Sequence, residues 1–263
     1  MIKAVLIDLN GTLHVGHNPI PGCISALEKL RKVPNLSIRF VTNNSKESKS
    51  ALITRLENLS ENGKKINIRE SEIFSALNAT SSLLKNRKPF YFLTEDALKD
   101  MPTQHFLEKE ADTVVIGLHT SGFNYDNLNS AFRILKNSKD PKMICCNLGR
   151  YHKTSDGNSL GPGAFAKGLE FSTGIEPIVV WKPNPLFFQT PLKELGLNAE
   201  QAVMIGDDAM DDVNGAVKAG LKGILVKTGK YVDGDEEICK ETMLSCVNDF
   251  GSAVDFLIEN KLV

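Results

Sequence analysis

Short apolar runs rich in branched residues alternate along the chain with longer amphipathic stretches. The short runs suit buried strands, and apolar positions three and four apart suit helices packed on them. Their alternation predicts an α/β protein with a largely parallel sheet. Residues 4–7 read as a first strand and residues 37–42 as a second. Between them, Pro21 suits the first turn of a helix running to about Lys32. Asn44 or Ser45 is placed to cap the next helix, where Leu52, Leu56 and Leu59 repeat at helical spacing. Residues 69–85 read as one further helix.

The middle of the chain has its own alternation. Residues 90–93, 114–116 and 143–146 read as strands. Residues 124–135 and 165–171 read as helices, the second entered through Gly161-Pro162-Gly163. The last third resumes the first pattern, with strands at 178–180, 203–205 and 224–226. Helices are expected at 186–195, 210–219 and 247–259.

Composition narrows the class. The chain has 263 residues, 41% hydrophobic and 24% charged, which is enough for a large buried core. A formal net charge of -1 gives no electrostatic footprint for nucleic acid or an anionic membrane. The opening apolar run is too short for a signal peptide, and no stretch approaches membrane-spanning length. Five cysteines, Cys23, Cys145, Cys146, Cys239 and Cys246, show no metal-ligand spacing. Reduced thiols in a cytoplasmic protein are the expectation.

Polar residues at strand ends carry the candidate chemistry. The first strand ends in Asp8-Leu9-Asn10-Gly11-Thr12 and the second in Thr42-Asn43-Asn44. The strand at 178–180 is followed by Trp181-Lys182-Pro183, and the strand at 203–205 by Gly206-Asp207-Asp208. In one parallel sheet these ends share an edge, where open α/β sheets bind ligands. A carboxylate such as Asp8 is able to attack a phosphoryl group and carry it as an aspartyl phosphate. Asp8 and Asp207 side by side would repel, which calls for a divalent cation, and oxygen ligands beside phosphate point to Mg2+. Lys182 supplies balancing charge. The Thr42 hydroxyl and the Asn43 backbone are suited to donate to phosphoryl oxygens, and Gly11 permits a tight turn with its amides facing them.

Asp8-Leu9-Asn10-Gly11-Thr12-Leu13, Phe40-Val41-Thr42-Asn43-Asn44, Lys182-Pro183 and Gly206-Asp207-Asp208-Ala209-Met210-Asp211-Asp212 resemble the four motifs of the haloacid dehalogenase superfamily. The long gap before Lys182 resembles the branch with a large α/β cap inserted there, which includes p-nitrophenyl, phosphoglycolate and pyridoxal phosphate phosphatases. Leu160-Gly161-Pro162-Gly163-Ala164-Phe165 and Val226-Lys227-Thr228-Gly229-Lys230-Tyr231 also match that branch. The resemblance implies a Rossmann-like core over residues 1–84 and 180–263, with a cap over 85–179 that closes over the site. It implies Asp8 as nucleophile and metal ligand, and Thr42 and Asn43 as the phosphate-binding pair. Lys182 is then the charge-balancing lysine, and Asp207 a metal ligand that Asp212 orients. It also implies a small phosphorylated substrate and a homodimer formed through the cap.

Asn10 departs from the family pattern. Most members place there a second Asp that serves as general acid and base, with its backbone carbonyl on the metal. An amide neither gives nor takes a proton at neutral pH. The lost acid–base group typically contributes about 10²–10⁴-fold, so slow hydrolysis, restricted to good leaving groups, is expected. A non-catalytic phospho-ligand-binding protein is the competing expectation. Carbon–halogen or phosphonate chemistry fits the retained Thr12, Thr42 and acidic residues less well. Asp208 and Asp211 read as solvated or capping residues. His14 and His17 lack a further ligand in register, and residues 227–230 lack the glycine spacing of a nucleotide P-loop. Trp181 suits either packing or substrate contact.

Overall fold

The computed structural model describes residues 1–154 and 157–263. The backbone divides into two compact units. The first comprises Met1–Thr42, Leu52–Phe74 and Lys182–Val263, and the second Asn43–Ala51 and Ser75–Trp181. The second unit therefore takes the helix Ala76–Leu83, which lies before the expected boundary at residue 85.

The first unit is built on a six-stranded sheet in the order Ser245–Val247, Lys222–Val226, Ala202–Gly206, Ala4–Ile7, Ser37–Thr42 and Ile73–Ser75. The pairs from Ser245–Val247 through Ser37–Thr42 are parallel. Ala4–Ile7 lies in the interior of this sheet and is buried at every position. A continuous apolar run is what a strand covered on both faces requires. Val5 and Ile7 join Leu27 and Leu30 of helix Cys23–Leu30 and Val254 and Leu257 of helix Phe250–Glu259 in one core. Register sets Ile7 beside both Ile205 and Phe40. Asp8, Asp207 and Thr42 consequently emerge from the same edge of the sheet.

Local chemistry moves several helix boundaries. The helix after the second strand is Lys49–Glu57, later than a cap at Asn44 or Ser45 would place it. Ser48 Oγ accepts from Ala51 N at 3.3 Å, whereas Asn44 Oδ1 closes a turn by accepting from Lys46 N at 3.1 Å. Residues 69–85 are not one helix. They form the turn Glu70–Glu72, the edge strand Ile73–Ser75 and the helix Ala76–Leu83. Burial of Ile73 and Phe74 favours the strand, and a Ser75–Asn78 capping box starts the new helix. Similarly, 247–259 divides into the strand Ser245–Val247 and a helix from Phe250, capped by Asp249. The stretch 210–219 is helical as expected but irregular: a π-helical segment, Ala209–Asn214, runs into the α-helix Gly215–Lys218.

The second unit holds a parallel sheet in the order Ile178–Val179, Lys142–Cys145, Thr113–Ile116 and Pro89–Phe92. Its core includes Phe92, Ile116, Ile134, Met143 and Leu169. The rings of Phe92, Phe123 and Phe165 stack in series at 5.1 and 4.0 Å. One expectation is overturned here: the strand preceding Lys182 does not resume the first sheet. Ile178–Val179 instead pairs with Ile144 and Cys145. Periodicity marks a strand but not its partner: Ile178–Val179 takes the outer side of Lys142–Cys145, and Ala4–Ile7 is flanked by Ala202–Gly206 and Ser37–Thr42. All five cysteines are free thiols. Among the described residues no helix is long and apolar enough to cross a membrane.

Candidate active site

Asp8 follows directly on the central strand, and its amide donates to Ile205 O at 2.9 Å. The residue is 7% exposed, too little for water alone to solvate its charge. Lys182, 3% exposed, supplies a counter-charge, with Nζ 2.5 Å from Asp8 Oδ1 and 3.3 Å from Val41 O. The same ammonium lies 2.6 Å from Asp212 Oδ1. One lysine thus bridges two carboxylates that stand far apart in sequence. It reaches this position although the strand before it belongs to the other sheet, because the chain turns at Lys182-Pro183 into helix Pro185–Glu194, which Asn184 caps.

Asp207 leaves the neighbouring strand one residue beyond Gly206 and is 1% exposed. Its Oδ2 accepts from Lys230 N at 2.7 Å. Asp212 is equally buried, and its Oδ2 accepts from Asp208 N at 3.2 Å. Asp8, Asp207 and Asp212 each offer a carboxylate oxygen within 4.8 Å of the others. The electrostatic consequence is direct. Burial, and then repulsion from Asp8, pushes the Asp207 carboxyl up to about 6. Burial also raises Asp212, with Lys182 opposing and Asp8 and Asp207 reinforcing the shift. Lys182 is held firmly protonated: burial acts against its charge, but Asp212 and Asp8 outweigh it. The short Lys182–Asp212 contact and the raised Asp212 value pull in opposite directions. The geometry decides for a charged lysine shared among too many carboxylates.

Two glycines make this closeness possible. A Cβ built on Gly11 (φ +97°) would overlap the Asp207 carboxylate, and one on Gly229 (φ +60°) would overlap both Asp207 and Gly11. Gly11 N donates to His14 O at 2.7 Å, closing the turn after Asp8. Asn10 lies on that turn and is exposed, while Thr12 is fully buried, and among the described residues its hydroxyl has no hydrogen-bond partner. Thr42 ends the strand beside Asp8. Asn43 follows it in sequence but groups with the second unit. Asp208 is a cap: Oδ1 accepts from Met210 N at 3.1 Å and from Asp211 N at 2.8 Å. The contribution of residues 228–230 has no signature in the chemistry of strand ends. The available signals were the match of residues 226–231 to the family branch and a glycine, Gly229, in the loop leaving Lys222–Val226, the strand paired with the one that delivers Asp207.

The donor set suits a hard divalent cation. Three buried carboxylates around one ammonium leave negative charge in excess, and all the side-chain donors are oxygen. Both oxygens of Asp212 already have contacts, Oδ1 with Lys182 and Oδ2 with Asp208 N, whereas Asp8 and Asp207 each have one oxygen engaged, by Lys182 and by Lys230 N.

Comparison with known proteins agrees with this geometry. A family profile described as haloacid dehalogenase-like hydrolase matches residues 5–107, and a second, HAD-hydrolase-like, matches 179–252. The human haloacid dehalogenase-like hydrolase domain-containing protein 2 is 42% identical over 264 residues, covering 99% of this chain and 98% of its own. The Xenopus laevis phospholysine phosphohistidine inorganic pyrophosphate phosphatase is 34% identical over 267 residues, covering 99% and 96%. The solved p-nitrophenyl phosphatase from Archaeoglobus fulgidus superposes with a TM-score of 0.85 at 27% identity, covering 97% of this chain and 99% of its own. Sheet order, inserted α/β cap and relatives agree, and the chain belongs to the haloacid dehalogenase superfamily as a phosphatase-like hydrolase of its large-cap branch.

Proposed function

We propose that the chain is a slow, magnesium-dependent phosphomonoesterase that works through an aspartyl phosphate on Asp8. The observation that carries this is Lys182, buried and bridging Asp8 and Asp212 beside Asp207. Asp8 is held by Lys182 with an oxygen available for in-line attack on phosphorus. The P–O bond to the leaving group breaks and its electron pair departs with that oxygen; water then attacks the aspartyl phosphate, the P–O bond to Asp8 breaks, and free Asp8 and inorganic phosphate result. Lys182 offsets charge on Asp8 and on the phosphoryl oxygens, and the Thr42 hydroxyl and Asn43 amide donate to those oxygens. Asp8, Asp207 and the Asn10 backbone carbonyl would hold Mg2+, while Asp212 fixes Lys182. When bound, the cation supplies charge neutralisation for both carboxylates and phosphate. The first unit is assigned as the catalytic core and the second as the cap that selects substrate. Pairing of two chains through the cap and a cytoplasmic location belong to the same assignment.

Asn10 sets the substrate class. It donates no proton to a departing oxygen, so the leaving group must be stable without one. Aryl phosphates meet that condition. So does a phosphorylated imidazole, a phosphoramidate in which the P–N bond breaks instead and the protonated second ring nitrogen lets the imidazole leave neutral; one relative's name includes phosphohistidine. The same Asn10 favours a second reading, a phospho-ligand-binding protein without useful turnover.

The test is hydrolysis of p-nitrophenyl phosphate and of an alkyl phosphate with Mg2+, by wild type, Asp8→Asn and Asn10→Asp. Asp8→Asn should abolish turnover. Asn10→Asp should accelerate it, more for the alkyl ester, within the roughly 10²–10⁴-fold range of a positioned acid–base group. Equal rates for wild type and Asn10→Asp on both substrates would refute the role given to Asn10. Tight binding of a phosphorylated ligand with no turnover would select the second reading.

A further inference from the structure

The loop leaving Lys222–Val226 meets the candidate site at three points. Thr228 Oγ1 donates to Gly11 O at 2.5 Å, tying the loop to the turn that follows Asp8. Gly229 packs so closely on Gly11 and on the Asp207 carboxylate that a Cβ would collide with both. Lys230 N donates to Asp207 Oδ2. That bond fixes the orientation of the Asp207 carboxylate. The Lys230 ammonium reaches Asp208 Oδ2 at 3.0 Å, but its side chain is 61% exposed, so this ion pair adds little. The part-buried hydroxyl and amide contacts, at 2.5 and 2.7 Å, are the ones that constrain geometry.

We infer, resting on the reading of Asp207 as a cation ligand, that Thr228, Gly229 and the Lys230 amide form a positioning clamp that sets affinity for the divalent cation. They hold two carboxylate-bearing segments, Asp8-Leu9-Asn10-Gly11 and Gly206-Asp207, at one separation and in one orientation. A cation needs both oxygens at once, and repulsion between the carboxylates would otherwise drive them apart. Residues that orient metal ligands typically change metal affinity by about 10–100-fold when altered.

Calorimetric titration of the substrate-free protein with Mg2+ tests the clamp. Thr228→Val removes the donor at nearly constant volume and should raise the Mg2+ Kd about 10-fold or more. Thr228→Ser restores the hydroxyl and should bind as wild type does. Metal-free melting of the variants should stay near that of wild type, since the carboxylates repel in the absence of metal. A wild-type Kd in Thr228→Val, or equal weakening in Thr228→Ser, overturns the clamp. If Thr228→Val does not fold, Thr228→Ala, which removes the donor without adding bulk, carries the same expectation, and an unchanged Kd there overturns it equally. Failure of wild type itself to take up Mg2+ overturns the reading of Asp207 and the clamp with it.

Discussion

Asp207 is where the site's charge imbalance is most open to measurement. Its carboxyl titrates near 6 in the fold against an ordinary value of 3.8, first because it is buried and then because Asp8 repels it. A folded value above the unfolded one gives stability that is fully present below the ordinary value and is lost as pH rises through about 6. In EDTA, Asp207→Asn should therefore be more stable than wild type above pH 6, and the advantage should vanish toward pH 4. Asparagine keeps an oxygen to accept from Lys230 N, so the packing is preserved. Adding Mg2+ should reverse the order, because only wild type gains a ligand-binding contribution. Urea melts at both pH values, with and without Mg2+, check this. A flat difference across pH would show that Asp207 is not strained by its neighbours.

At the scale of elements, the first unit is tied together away from the site by a pair between a helix and a turn. Arg31, just past helix Cys23–Leu30, donates from both Nη atoms to Glu72 at 2.6 and 2.7 Å. Glu72 closes the turn Glu70–Glu72 and also accepts from Arg69 N at 2.9 Å. Burial alone would raise the Glu72 carboxyl, but the Arg31 hydrogen bonds hold it below its ordinary range. The linkage has the opposite sign to that of Asp207: stability is present above the ordinary value and is lost as pH falls through the folded one. Glu72→Gln should cost about 1.5–3 kcal/mol at pH 7, the range for hydrogen bonds to charged groups. The difference from wild type should shrink under acid, as denaturant melts at pH 7 and pH 3 would measure. This turn lies where a continuous helix is expected from sequence. The apolar spacing of 69–85 fits a helix, but Ile73 and Phe74 are drawn into the sheet edge by burial, which periodicity does not register.

Across the whole molecule, the three clustered carboxylates all belong to the first unit. Magnesium should therefore slow amide hydrogen exchange in residues 8–13, 207–214 and 228–230. The second unit's strands Pro89–Phe92, Thr113–Ile116 and Lys142–Cys145 should be unaffected. Protection distributed evenly over both units would contradict a cation site confined to the first.

The sequence by itself determined the α/β class, because short apolar runs buried on both faces have few other solutions. It also determined which residues stand at strand ends: Asp8, Thr42 and Asp207 follow directly on buried strands, and register alone brings them to one edge. Asn10 was legible as a chemical departure, since an amide differs from a carboxylate wherever it lies. Only the tertiary structure decided that the strand before Lys182 joins the other sheet, since an apolar run shows a strand but not which strand it pairs with. Only it decided that one ammonium is divided between Asp8 and Asp212. Spacing along the chain carries no distance between residues on different loops. The hold on Asp207 was the least legible of all, because it comes from the Lys230 backbone amide, a group that nearly every residue possesses.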